Sequence, residues 1–369
     1  MSRLADYLRD LIAQEGPLTL ERYMGLALGH PTMGYYITRD PFGVAGDFTT
    51  APEISQMFGE LIGLWAAETW VAMGAPSRLH LVEIGPGRGT LMKDALRAAS
   101  VAPAFAEVIE AHLVETSPVL SKAQRETLAT ATVPVSWHNA IETIPPGPAI
   151  FIANEFFDAL PVRHYVNHAG AWRERLVGLD AQSRFTFGLS SEVEESIKVR
   201  ATQGAVIEVS AVGQRIMTTL ATRLVEQGGA ALIIDYGYVE TALGETLQAL
   251  RGHRFVDPLD CPGEADLTTH VDFAALARAA RAAGANVHGP VTQGALLTGL
   301  GIFERARALK RRADAAQAAA IEAALLRLVS GQPSIEVEGG VVDGMGELFK
   351  AICVTAPGMD APAGFEAKL

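Results

Sequence analysis

The stretch Leu81-Val82-Glu83-Ile84-Gly85-Pro86-Gly87-Arg88-Gly89-Thr90 decides how the rest of the chain is read. A short apolar run ends in three alternate glycines, and a helical pattern from Leu91 to Ala99 follows at once. That order is strand, tight turn, helix N-terminus. Glycines in such a turn let the backbone approach a ligand closely, and the helix start presents unpaired N–H groups. The dinucleotide fingerprint Gly-x-Gly-x-x-Gly does not fit, because Thr90 stands at its third glycine. Gly-x-Gly-x-Gly with Glu83 two residues ahead is a different pattern, whose plain alternative is a βα connection without a ligand.

Around this turn, residues 78–159 alternate strand and helix. Strands are expected at 79–84, 111–115, 134–138 and 148–153, with helices near 89–99, 103–110 and 117–129. This rhythm implies a mostly parallel sheet with right-handed crossovers. Ligand sites in open α/β sheets lie at the carboxyl ends of the strands. Glu115, ending the second strand, is placed to accept hydrogen bonds from ribose hydroxyls of a nucleoside held at the turn; capping the helix at Ser117-Pro118 is the alternative. The fourth strand runs into Asn154-Glu155-Phe156-Phe157-Asp158-Ala159-Leu160-Pro161. Three polar side chains around two aromatics make this the best catalytic candidate, against a polar loop with a Phe pair beneath it.

Ahead of the turn, residues 1–75 read as helical, with a long helix from about Pro52 to Met73. The polar stretch Gly46-Asp47-Phe48-Thr49-Thr50-Ala51-Pro52-Glu53-Ile54-Ser55 leads into it, and a plain loop has no need of so many hydroxyls and an acid. After residue 161 three antiparallel strands (162–167, 171–179, 184–189) form a β-rich insertion over 161–204. A helix from Ser210 to Glu226 stops at Gly228-Gly229. Ala231–Gly237 is a fifth buried strand, with Asp235 at its carboxyl end. A turn-rich segment leads to Ala265-Asp266-Leu267-Thr268-Thr269-His270-Val271-Asp272-Phe273. Further on come an alanine-rich helical stretch (303–329), a last strand (347–355) and a flexible tail over 358–369. The expected α/β domain is thus 76–160 plus 205–357, with 239–330 partly additional helical segments on the substrate side.

The chain has 369 residues, 49% hydrophobic and 20% charged, enough for a large core. A formal charge of −12 argues against nucleic acid as the main partner. Cys261 and Cys353 make no disulfide framework and no paired metal motif, which points to a reducing compartment. No apolar run approaches a membrane span. The chain opens on an acid-containing amphipathic helix and neither a signal nor a transit peptide is evident, so the expected location is cytoplasmic. The nine histidines form no convincing metal set: His164 and His168 are four apart, but in strand-like sequence. No metal is expected. No Gly-x-Ser-x-Gly elbow or phosphate-loop Gly-Lys-Ser/Thr occurs.

With these motifs assembled, the chain resembles the MidA family of S-adenosylmethionine-dependent methyltransferases, which includes a mitochondrial arginine methyltransferase that assists assembly of respiratory complex I. The resemblance rests on the stretches at 46–55, 83–90 and 155–161, joined by Asp235-Tyr236-Gly237 and 265–273. It covers nearly the whole chain, to Met345–Lys350. Asn154 stands where relatives frequently carry His. The resemblance implies a class I methyltransferase-like (Rossmann-like) α/β fold with a seven-stranded, mostly parallel sheet. It also implies S-adenosyl-L-methionine as cofactor and a protein substrate, arginine on a complex I core subunit.

On that reading the cofactor is held by Glu83, Gly85, Pro86, Gly87, Gly89, Thr90, Glu115, Asn154 and Thr49. Glu155, Asp158 and Asp47 are the catalytic candidates. The reaction is an in-line displacement, in which the protein aligns the partners and a carboxylate orients a protonated guanidinium and takes its proton. A non-catalytic cofactor-binding assembly factor and a small-molecule methyltransferase remain alternatives.

Overall fold

The computed structural model describes residues 3–41, 47–337 and 340–366. Gly46, the first residue of one quoted motif, lies outside them. The chain forms two compact units. One comprises Met1–Phe48, Phe157–Ile216 and Glu240–Val271; the other comprises Thr49–Phe156, Met217–Val239 and Asp272–Leu369.

The larger unit is built on seven principal strands: β1 (Leu79–Ile84), β2 (Ile109–Val114), β3 (Val135–His138), β4 (Ala149–Asn154), β5 (Gly229–Tyr238), β6 (Asn286–Thr292) and β7 (Phe349–Thr355). Their order across the sheet is β6-β7-β5-β4-β1-β2-β3. β5, β4, β1, β2 and β3 pair in parallel, while β7 runs antiparallel to both β5 and β6. The sheet therefore departs from the expected seven: the two-residue strand Val271–Asp272 adds an eighth beside β5, and two of the pairings are antiparallel.

One face of the sheet is mainly apolar, with Leu79, Leu81, Ala111, Leu113, Ile150, Ile152, Leu232 and Ile234 in a single core cluster. Helix α2 (Gln56–Ala72) and helix α3 (Thr90–Ala99), the first of these preceded by the short α1 (Ala51–Ile54), contribute to that cluster. A Cβ at Gly63 would lie 2.5 Å from the Ala95 carbonyl oxygen, so glycine is what lets α2 and α3 approach this closely. The expected single helix from Pro52 breaks at Ser55, whose extended backbone (φ −160°) lets its hydroxyl accept from Met57 N–H and cap α2. The 303–329 stretch likewise divides, into Ile302–Lys310 and Ala315–Val329, with an Asp314/Gln317 capping box starting the second. Phe365 is buried in the core cluster, so the tail expected to be flexible over 358–369 is packed at Phe365, while residues 367–369 lie outside the described ones.

The smaller unit carries the antiparallel insertion strands Arg163–His168, Ala171–Leu179 and Phe185–Leu189. Residues 1–75 do not form one helical region. Leu18–Thr19 is an edge strand on Ala171–Leu179, with Leu18 opposite Val177, which draws the chain up to Phe48 into the unit of the insertion. Within 239–330, Gln248–Arg251, Arg254–Val256 and Asp266–Thr268 make a three-stranded antiparallel sheet ahead of the helices.

Candidate functional site

In the larger unit the carboxyl ends of β1, β2 and β4 carry most of the expected ligand-binding residues. Gly85, Gly87 and Gly89 all adopt left-handed backbone, at φ 65°, 52° and 81°. A Cβ at Gly85 would lie 2.8 Å from the Phe156 ring, so glycine there also admits an aromatic against the turn. Gly89 N–H donates to the Pro86 carbonyl at 2.7 Å, closing the turn, and Gly89 caps α3 in the left-handed conformation.

Glu83 is buried beneath the turn, where desolvation raises its carboxyl to about 8 although Met92 N–H donates to it. Its Oε2 is a buried atom without a hydrogen-bond partner. Thr90 donates its hydroxyl to Glu53 of α1. Thr49 lies half-buried in the coil ahead of α1.

Glu115 follows β2 directly, and its carboxylate accepts from Ser117 N–H at 2.7 Å and from the Gln124 amide at 3.0 Å. Burial raises its pKa, while those donors and Thr116 N–H oppose the shift. The same Gln124 amide nitrogen donates to the Gly87 carbonyl at 2.8 Å, and its oxygen accepts from the Trp137 indole. Gln124 is fully buried and ties Glu115 to the glycine turn. Sequence reading missed it, because a glutamine within an ordinary helical stretch carries no signal of what it spans.

At the end of β4, Glu155 holds a left-handed backbone (φ 50°), a conformation that costs a non-glycine residue energy. Its N–H donates to the Ile234 carbonyl at 2.9 Å. Its Oε1 accepts from Ala51 N–H at 3.1 Å and from the Asn154 amide at 3.0 Å. Asn154 is buried and its Oδ1 has no partner. Asp235, fully buried, accepts from Phe156 N–H at 3.2 Å and so fixes the residue that packs on Gly85.

Asp47 and Asp158 belong to the smaller unit, where a third acid joins them. Tyr36 donates its hydroxyl to Asp266 at 2.8 Å, and Tyr35 donates to Asp47. Burial, then the neighbouring charge of Asp158, raises the Asp266 carboxyl to about 8, and Asp47 adds to the effect. Asp158 is itself buried, and its carbonyl accepts from Thr269 N–H. Asp266 stands in a quoted motif but had no assigned role; only folding brings it to Asp158.

A sequence model of S-adenosyl-L-methionine-dependent methyltransferases matches residues 61–291. Over 331 residues the chain is 40% identical to protein arginine methyltransferase NDUFAF7, mitochondrial, of Danio rerio, covering 82% of this chain and 78% of that protein. The Homo sapiens protein of the same name is 37% identical over 324 residues, with 81% and 73% covered. Among solved structures, a COG1565 superfamily member from Burkholderia thailandensis bound to S-adenosyl-homocysteine superposes with TM-score 0.86 at 29% identity, over 99% of this chain and 94% of that one. The expected cytoplasmic location does not stand, since the curated relatives are named as mitochondrial proteins.

Proposed function

The chain belongs to the S-adenosyl-L-methionine-dependent methyltransferases, and from that premise we propose that it methylates arginine side chains of a protein, with a respiratory complex I core subunit as the substrate. That it is a methyltransferase with S-adenosyl-L-methionine as cofactor follows from the family itself and from the S-adenosyl-homocysteine in the Burkholderia thailandensis relative. Arginine as the acceptor is supported by the names of the curated relatives.

The residues present fit the cofactor. The left-handed glycines bring no side chains of their own to the turn, Glu115 supplies an acceptor, and Asn154 Oδ1 is a buried polar atom still without a partner. Bound there, the cofactor supplies a methyl group already activated on a sulfonium sulfur. Glu115 holds the ribose hydroxyls. Gly85, Pro86, Gly87 and Gly89 shape the loop beside the nucleoside, with Glu83 and Thr90 bracing it from beneath. Asn154 and Thr49 complete the binding set.

A guanidinium is protonated at neutral pH and is a poor nucleophile. Glu155 orients its planar fork and takes the proton released as the new bond forms. Asp158 and Asp47 are the further catalytic acids of this reading. The observation that carries this reading is Glu155 itself: an acid held in strained backbone at a strand's carboxyl end, its carboxylate fixed by Ala51 N–H and Asn154.

The test is tritium transfer from labelled S-adenosylmethionine to a complex I core subunit. Glu155→Gln should lower transfer by about 1,000-fold, in the range for a removed acid–base group, while S-adenosyl-homocysteine binding stays within a few-fold. Wild-type turnover in that variant, or label on a residue other than arginine, would sink the assignment.

A further inference from the structure

Three imidazoles stand in a row on the face of the main sheet opposite the apolar one: His80 on β1, His112 on β2 and His138 on β3. His80 Nδ1 and His112 Nε2 are 2.9 Å apart, and His112 Nδ1 and His138 Nε2 are 3.0 Å apart. The row ends at the Pro146 carbonyl, 3.3 Å from His80 Nε2, and at Thr143 Oγ1, 3.0 Å from His138 Nδ1. The Thr143 hydroxyl gives its hydrogen to the Ala140 carbonyl at 2.7 Å. Both ends of the row are therefore acceptors.

Four contacts then need four hydrogens from the rings, and three neutral imidazoles carry only three. A fourth proton would place a positive charge among three close imidazoles, two of which, His80 and His112, are buried.

A metal ion between His80 Nδ1 and His112 Nε2 removes the mismatch. His80 Nε2–H then donates to Pro146, His112 Nδ1–H to His138, and His138 Nδ1–H to Thr143. Each ligand ring would donate its second nitrogen to an acceptor, the arrangement that orients metal-bound histidines. A third donor is at hand: Glu110 Oε2 lies 3.9 Å from His80 Nδ1, and the ligand atoms of His80, Glu110 and His112 all fall within 4.8 Å of one another. Glu110 is half-buried, which leaves a path from solvent. Arg78 binds the same carboxylate at 3.1 and 2.9 Å, but its guanidinium is largely exposed and a carboxylate has lone pairs for both. Arg223, whose charge also reaches these rings, is occupied by the Ile144 and Pro145 carbonyls.

We propose that His80, His112 and Glu110 form a zinc site that cross-links β1 and β2. Two imidazoles and one carboxylate suit zinc and disfavour magnesium or calcium, which take oxygen ligands. Tetrahedral zinc sets its two nitrogens roughly 3.3 Å apart, so the pair has only a few tenths of an ångström to open. His80 precedes the glycine turn by five residues on one strand, about 16 Å of extended chain, so the ion serves the sheet and not methyl transfer. The spacing hides this set from the sequence, because its ligands come from two strands with a helix between them.

The full chain, expressed without a histidine tag, stripped with chelator and titrated with zinc chloride alone, should bind one equivalent and melt at a higher temperature with the metal. Cobalt(II) should give the visible absorption of a tetrahedral site. Glu110→Gln should weaken zinc at least about tenfold and His112→Asn should abolish it, with S-adenosyl-homocysteine binding retained as proof of folding. Where His112→Asn fails to fold, the half-buried Glu110→Gln decides. Absence of saturable zinc in folded protein, affinity unchanged in Glu110→Gln, or a fourth proton detected on the rings by NMR would each overturn the site.

Discussion

Glu115 in the larger unit, half-buried, and Asp266 in the smaller, buried, are both acids whose pKa desolvation raises, yet their surroundings treat the charge in opposite ways. Glu115 is surrounded by donors: Ser117 N–H, Thr116 N–H and the Gln124 amide all favour its carboxylate. Asp266 meets Asp158 and Asp47, whose negative charges oppose its own, with the Tyr36 hydroxyl and Leu267 N–H as counterweight. A donor-lined acid is a fixed acceptor, suited to hydroxyls that always dock the same way. An acid crowded by other acids is stabilised by an arriving cation. The proposed function gives the first region to the cofactor; the second is a group of acids that a cation would stabilise.

Among tests of this contrast, the largest effect on cofactor binding should come from Gly85. Gly85→Ala adds a Cβ to a residue at φ 65° and brings it to 2.8 Å from the Phe156 ring. Calorimetry should find S-adenosyl-homocysteine bound about 100-fold more weakly, through displaced backbone rather than lost contacts. Affinity within a factor of three of wild type would break the assignment of this region to the cofactor.

A smaller loss is expected at Gln124, which supplies a donor to Glu115 and to Gly87 and an acceptor to Trp137. Gln124→Leu leaves the Trp137 indole N–H unpaired and Glu115 short of a donor. About tenfold weaker S-adenosyl-homocysteine binding is the expected result, in line with one lost buried polar partnership. An unchanged affinity would mean that the tie between Glu115 and the turn is not what positions the acceptor.

The mildest test concerns pH. Asp266 titrates near 8 in the folded chain against an ordinary value of 3.8, so between these values the folded state holds a proton that the unfolded state releases. Its contribution to stability is complete below about pH 4 and is lost as pH rises through 8. The melting temperature should therefore fall over that window. Asp266→Asn, which keeps an acceptor for Tyr36, should flatten part of the slope. Glu83, also raised to about 8, supplies another part, and Glu83→Gln should flatten it independently. A slope equally steep in Asp266→Asn would show that the crowded acids do not repel as described.

Much of the larger unit was legible along the chain. Apolar runs ending in glycine or acid located β1, β2, β4 and β5 to within about two residues, because parallel strands buried on both faces need continuous apolar sequence. The Gly85–Gly89 turn could be read for the same local reason: its conformations are open to glycine and costly for other residues. Breaks inside helices were harder to place. Ser55 and Asp314 are ordinary polar residues until the backbone beside them turns extended and their side chains cap the next helix.

By itself, the sequence determined the strand–turn–helix frame and the placement of acids at strand ends, properties of residues close together in the chain, while its resemblance to a known family implied the cofactor class. The tertiary structure alone decided which acids meet. Asp266 joins Asp158, Gln124 reaches Gly87, and His80, Glu110 and His112 converge across two strands, although nothing in the spacing of these residues announces it. The physical reason is that local sequence sets backbone conformation, while the field at a buried charge is set by whatever folding brings beside it.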